Sequence, residues 1–425
     1  MVSPATVPSG PGTIDDARDK VRSSNFFGLC YLMLCQLGYT NENDGPTAIK
    51  QIQDLLPTMP VPANTVTGKW RVGWGPVVPT DGSNSNLMYA AEFVDVQSNT
   101  PVFSAVVIRG TDVQAKPSGV IQQIIQDLDA ANQVSLPFLN NAPNAKIAQG
   151  SELGFTKLQG FVDAGKNVEQ YVKKFIGDNP GAPVVVTGHS LGGCLTTVMG
   201  LNLALQNPDA VIVPNTFAAP TAGNSAFIQL YEQECKFSPR WVNPFDLVPK
   251  AFANLGDIKG LWTTCNRPAS LLVKIAIDGL ELVLNVAKAT YAQESDDESR
   301  TLPGVCQSSR PSPVSDTVLN QAVADIRGIL QNAVNKHLAE GRMPAVLKDL
   351  ADDVKNSPIA ATLSGVAAHL VPQRAIDLAI QHLPFQDLAS WVQELLFQHS
   401  VLTGYWNAVQ NFSGVAFIDN RFAKG

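Results

Sequence analysis

Val184-Val185-Val186-Thr187-Gly188-His189-Ser190-Leu191-Gly192-Gly193 decides how the rest of the chain is read. A β-branched run is followed by G-x-S-x-G, and Leu191 to Leu205 then carries apolar residues at helical spacing. Strand, sharp turn and helix are the context a nucleophile elbow requires. Glycines at 188 and 192 leave room for a turn that puts Ser190 in a strained backbone conformation. The hydroxyl then stands clear of the sheet at a helix N-terminus, where developing negative charge is favoured. A plain Gly/Ser turn would satisfy the motif alone, but the flanking strand and helix favour a nucleophile at Ser190.

The chain has 425 residues, 45% hydrophobic and 16% charged, enough to bury a large core. Its net charge is −7 with a pI near 5.3, and no basic stripe interrupts it, which argues against nucleic acid as a partner. Six cysteines (Cys30, Cys35, Cys194, Cys235, Cys265, Cys306) form no C-x-x-C pair or Cys/His metal spacing, so neither a metal nor a cofactor is expected. Cys194 reads as a small buried apolar residue, and Cys265 and Cys306 could bridge. No uncharged apolar run is long enough for a transmembrane span. Met1 to Asp19 lacks the charged and apolar regions of a signal peptide. The expectation is a cytoplasmic protein, one exported without a recognisable signal, or a sequence numbered from an added Met.

Outward from the elbow, the expected order is α/β. Residues 1–13 read as a disordered lead. Thr13 or Asp15 can cap a helix from about Asp16 to Leu37, and Thr47 to Leu56 suggests a second. Strands are expected at Lys69–Val77, Asn86–Val96 and Val102–Arg109. Gly110-Thr111-Asp112 follows the last of these, and then a short apolar helix pattern, Val120–Leu128, behind Pro117 and Gly119. A long helix is expected over Ser151–Ile176. Downstream of the elbow come a strand at Val211–Phe217, a helix around Asn224–Glu234 and a short strand at Arg240–Asn243. This alternation predicts a mostly parallel sheet flanked by helices. From about 255 to 398 almost no strand pattern is visible. Ser270–Ala289 is amphipathic, with Lys274, Asp278, Glu281, Asn285 and Lys288 on one face. Leu272, Ile275, Ala276, Val283 and Val286 lie on the other. Gln293–Pro313 reads as a charged, Ser/Pro-rich linker. The expected division is 14–254 as core, with 113–130 as a lid segment, 255–395 as a helical insertion or cap, and 396–425 as the end of the core.

A serine hydroxyl needs a base and an acid that orients it, and in this fold they follow in the order Ser, Asp/Glu, His. Asp246, in Asn243-Pro244-Phe245-Asp246, sits in a loop after a strand, where active sites of open sheets collect; an ordinary turn Asp fits the same position. Among the downstream histidines, His337, His369 and His382 fall in the helical stretch. His399 lies where the chain returns to the sheet and is favoured as the base. His189 precedes Asp246 and falls outside that order, which leaves it packing or hydrogen bonding at the elbow. For an oxyanion, one backbone donor would be Leu191 N–H, and Gly110-Thr111 is placed to offer the other.

These pieces together resemble the class 3, or fungal-type triacylglycerol, lipases. They are Val107-Ile108-Arg109-Gly110-Thr111-Asp112, Gly188-His189-Ser190-Leu191-Gly192-Gly193, Thr216-Phe217-Ala218-Ala219-Pro220 with Gly223-Asn224, Val242-Asn243 with Asp246-Leu247-Val248-Pro249, and His399 with Tyr405. The resemblance covers about 70–250 and 395–420. It implies an α/β-hydrolase fold and cleavage of acylglycerol esters. Ser190 would be nucleophile, His399 base and Asp246 its orienter, with an oxyanion hole at Thr111 and Leu191. It also implies a lid after Gly110-Thr111, though plain core packing suits Val120–Leu128 equally. Two features depart from the family: the long stretch between Asp246 and His399, and a wide His399–Tyr405 spacing. Amphipathic helices allow transient contact with a lipid interface, although burial against the core suits most of them better. Phospholipase A1, feruloyl-type esterase and acyl transferase chemistry remain alternatives on the same residues. A non-catalytic lipid-binding scaffold is the alternative of another class.

Overall fold

The computed structural model describes residues 13–39, 45–62, 65–79, 86–110, 130, 132–265, parts of 274–286, 287–295, 299–304, 394–395 and 397–413. Thr111, the lid segment up to residue 129 and the three insertion histidines lie outside them.

Among the described residues a seven-stranded sheet forms the frame. Its strands are β1 (Gly68–Val77), β2 (Leu87–Asp95), β3 (Pro101–Arg109), β6 (Val184–His189), β7 (Ile212–Phe217), β8 (Arg240–Val242) and β9 (Ser299–Thr301), in that spatial order. β4 (Gln133–Ser135) and β5 (Lys146–Ala148) pair separately. β1, β2 and β3 run antiparallel, whereas β3, β6, β7, β8 and β9 run parallel. This is the α/β-hydrolase arrangement, a mostly parallel sheet flanked by helices. In the parallel part the continuous apolar runs are buried on both faces, as such strands require.

Among the described residues, the longer helices flanking the sheet are α1 (Ile14–Ser23), α2 (Gly28–Gly38), α3 (Gly45–Leu55), α4 (Gln149–Gln159), α5 (Val168–Asp178), α6 (Leu191–Gln206), α7 (Ser225–Glu234) and α8 (Trp406–Ser413). Alternate side chains divide the core. Val106, Ile108, Val184 and Val186 pack with α4, α5, α6 and α7. Ala105, Val107 and Val185 face the opposite side, with α1, α2, α3 and α8. The chain's first and last described helices thus share one face, where α8 packs on α2.

Three expectations are corrected. The helix expected over 16–37 is two, α1 and α2, parted at Ser24–Phe27. Thr13 caps α1 through a reciprocal capping box with Asp16. α2 is buried almost all round and so shows no amphipathic period that would mark the break. The helix expected over 151–176 is also two. A turn at 160–167 separates α4 from α5, with Ala164 and Gly165 at positive φ and Asn167 making a second capping box with Gln170. Finally, the linker expected from Gln293 contains β9, which extends the main sheet beyond β8. Three residues of Ser-Arg-Thr carry too little pattern to announce a strand, and neighbouring backbone supplies the pairing. In the amphipathic segment, the described residues between 274 and 287 are helical, and Ile277 and Leu284 are buried in the core.

Candidate active site

The parallel register brings four strand ends to one edge of the sheet. Ile108 pairs with Gly188, His189 with Phe217, and Phe217 with Trp241. Gly110, Ser190 and the loop after β8 therefore emerge side by side, at the carboxyl ends where open α/β sheets place their ligands.

Ser190 has φ 60° and ψ −130°, between the end of β6 and the first residue of α6. A non-glycine residue there costs about 1–3 kcal/mol, which the surroundings must hold. Two hydrogen bonds grip it: Ser190 N–H donates to Phe217 O at 2.9 Å, and Gly193 N–H donates to Ser190 O at 2.9 Å. The backbone packs too tightly here for side chains. A Cβ on Gly188 would stand 2.3 Å from Gly192 O, and one on Gly192 would stand 2.2 Å from Ile108 O. Leu191 N–H is the first amide of α6 and has no intrahelical acceptor.

His399 closes on this serine across the sequence. Its Nε2 lies 2.8 Å from Ser190 Oγ and its Nδ1 2.9 Å from Asp246 Oδ2. A carboxylate at Nδ1 assigns the ring proton to that nitrogen, so Nε2 is the acceptor that faces the hydroxyl. All three residues are buried. Buried charge requires partners, and Asp246 has three: His399, the Tyr405 hydroxyl on Oδ2 at 2.8 Å, and Val248 N–H on Oδ1 at 2.9 Å. Burial, and then the Asp246 charge, push the Tyr405 phenol well above its ordinary value, so it stays a donor.

The wide His399–Tyr405 spacing has a structural reason. Val401–Tyr405 is a π-helical turn, capped by Ser400 and continued as α8. The wider turn absorbs the extra residues and returns the Tyr405 hydroxyl to Asp246.

Asn243 fastens the acid loop to this segment. Its Nδ2 donates to Gln398 Oε1 at 2.7 Å and Gln398 O at 3.1 Å. Its Oδ1 accepts from Phe245 N–H at 3.0 Å, its carbonyl accepts from Asp246 N–H at 2.9 Å, and its N–H donates to Tyr405 OH at 3.2 Å. Neither this role nor the role of Gln398 was read from the sequence. An Asn before a Pro at a strand end, Asn243-Pro244, was the available signal.

His189 both packs and bonds. Its Nε2 donates to His399 O at 2.8 Å, and its ring lies 4.8 Å from that of His399. Burial, and then the neighbouring His399, hold its pKa well below the ordinary value. Burial also raises the thiols of Cys30, Cys35, Cys194 and Cys235, Cys194 to about 12. Cys194 is therefore a buried apolar group and no nucleophile. Cys265 is disulfide-bonded. The described residues contain no metal-binding cluster and no helix long and apolar enough to cross a membrane.

An α/β-hydrolase sheet carrying a Ser–His–Asp chain at its elbow defines the class of protein. Residues 105–255 match the family model described as lipase (class 3), which bears out the resemblance seen in the motifs. A secreted mono- and diacylglycerol lipase of Malassezia globosa is 28% identical over 146 residues, which make up 34% of this chain and under half, 45%, of that protein. The crystal structure of M37 lipase superposes with a TM-score of 0.52 at 22% identity, covering 77% of this chain and 97% of that one. A lipase II from Rhizopus niveus gives 0.38 at 18% identity, over 56% and 76%.

Proposed function

We propose that this protein is a serine carboxylic ester hydrolase that cleaves acylglycerol esters through an acyl-Ser190 intermediate. The observation that carries the reading is the buried hydrogen-bond chain Ser190 Oγ–His399–Asp246, joined at 2.8 and 2.9 Å on an elbow with a strained nucleophile. Its parts meet the needs of acyl transfer. Ser190 Oγ attacks the ester carbonyl while His399 Nε2 takes its proton. The Asp246 carboxylate stabilises the resulting imidazolium and keeps the ring's orientation. The oxyanion falls to Leu191 N–H and to a donor from Thr111. His399 then protonates the departing alcohol, and water, activated by the same imidazole, releases the acid. No metal or cofactor enters these steps.

Acylglycerols are favoured as substrates by the family match at 105–255 and by the likeness to the Malassezia mono- and diacylglycerol lipase. Residues 14–254 and 396–425 would form the catalytic core, joined by the part of 255–304 that supplies β9 and the buried Ile277 and Leu284, and the insertion would begin after it. Disulfide-bonded Cys265 suits an oxidising compartment, which favours export over the cytoplasm.

A panel of p-nitrophenyl esters of increasing chain length, beside a triglyceride emulsion and a phospholipid, tests the proposal. Hydrolysis of ester and glyceride is expected, with a loss of about 10⁴-fold or more in kcat for Ser190→Ala. Unchanged hydrolysis in that variant, or turnover of phospholipid alone, would refute it.

A further inference from the structure

One buried pair beside the catalytic residues takes no step in the chemistry yet touches each side of it. Tyr39 follows the last residue of α2 and reaches the elbow from the far face of the sheet. Its hydroxyl donates to His189 O at 3.1 Å and lies 3.4 Å from His189 Nδ1. The same oxygen accepts from Gly110 N–H at 3.3 Å. Gly110 follows the last residue of β3 and is the residue before Thr111. A Cβ there would lie 2.6 Å from Gly192 N and 3.0 Å from Leu191 N, so this backbone rests directly on the start of α6. From the other side of the imidazole, His189 Nε2 donates to His399 O. A carbonyl can only accept, so Nε2 carries the single proton of a neutral ring and Nδ1 faces the phenol.

We propose that Tyr39 and His189 are positioning residues that hold Gly110 and the His399 backbone to the nucleophile elbow. The inference rests on the ester-hydrolase reading above. Strand pairing fixes Ser190 and Gly110 only up to the ends of β6 and β3, and the His399 segment belongs to no strand. Gly110, the elbow and His399 meet on one phenol and one imidazole. Losing either lets the oxyanion donors or the general base drift while the fold persists. The two residues act on the rate of the chemical step and leave ester affinity alone.

Four full-length variants test this: Tyr39→Phe, His189→Leu, His189→Asn and His189→Gln. The glutamine amide can replace Nε2 as donor to the His399 carbonyl; the shorter asparagine cannot. The measurements are kcat and KM on p-nitrophenyl butyrate, the rate of Ser190 labelling by a fluorophosphonate, and the downfield proton resonance of His399 Nδ1–H. Because a 1 Å misplacement can cost 10²-fold, kcat and labelling should fall about 10-fold in Tyr39→Phe and about 10- to 100-fold in His189→Leu and His189→Asn. KM should stay within about twofold, the downfield resonance should broaden or shift, and His189→Gln should recover to within about threefold of wild type. Should His189→Leu fail to fold, the contrast between His189→Gln and His189→Asn decides. Wild-type kinetics and resonance in Tyr39→Phe, or equal damage in His189→Gln and His189→Asn, would overturn the inference. Wild-type protein that neither turns over ester nor labels at Ser190 would instead overturn the hydrolase reading, and the resonance would still report on the positioning.

Discussion

The elbow and the His399 segment supply the two halves of one hydrogen bond, yet they are held in opposite ways. Ser190 is fixed by backbone: strand register on both sides, two main-chain hydrogen bonds and glycines that let peptide planes touch. His399 is fixed by side chains from distant places: Asn243 and Asp246 after β8, Tyr405 on its own π-helical turn, and His189 at the elbow. Local geometry needs a few residue types at short spacing. A site assembled through side chains 153 to 210 residues apart needs only that each partner arrives.

The contrast breaks most sharply at the glycine. Gly192→Ala places a methyl group 2.2 Å from Ile108 O, where backbone cannot yield cheaply. A loss on the order of 3 kcal/mol or more in chemical denaturation is expected, with near-complete loss of ester turnover in whatever remains folded. A smaller effect is expected from the side-chain clamp. Asn243→Ala leaves the Gln398 and Phe245 groups without their partner, which should cost roughly 2–3 kcal/mol of stability and about tenfold in kcat. Urea unfolding and steady-state kinetics on the same preparation check both numbers. If Gly192→Ala is as mild as Asn243→Ala, the elbow is less rigidly held than its contacts indicate.

The smallest effect is one of pH on stability. His189 faces Tyr39, His399 and Tyr405, and its folded pKa lies well below its ordinary value of 6.5. Below about pH 6.5 the unfolded chain binds a proton at this site that the folded chain does not, so this group makes stability fall as pH falls, by up to about 1.4 kcal/mol per unit. His189→Gln removes that proton. Its stability should decline less steeply than wild type between pH 6.5 and 5, read from urea midpoints; parallel curves would contradict the assignment.

What could be read beforehand follows the same division. The fold was legible because β6, its turn and α6 announce themselves within about twenty residues, and the β-branched runs of β3 and β7 follow suit. Ser190 was legible for that reason. As candidates, Asp246 and His399 could be named only by their place in an order, since no local pattern distinguishes a catalytic Asp from a turn Asp; the structure brings both to Ser190. Asn243, Gln398 and Tyr39 were invisible as site residues. An amide or phenol far from its partner in sequence carries no period or spacing that connects them. The breaks at Ser24–Phe27 and 160–167 were hidden differently: apolar spacing ran on across both, while the capping box at Asn167 and Gln170 was present but outweighed. β9 borrowed its structure from β8 and had no pattern to read.

His399, and none of the insertion histidines, is expected to activate Ser190 across the long segment after Asp246. Mass-spectrometric mapping of fluorophosphonate adducts in wild type and in His399→Ala, His337→Ala, His369→Ala and His382→Ala tests it directly. The expected result is a single adduct on Ser190, formed at wild-type rate in the three insertion variants and slowed about 10³-fold or more in His399→Ala. An adduct that forms at wild-type rate in His399→Ala, or one that fails in an insertion variant that remains folded, would contradict it.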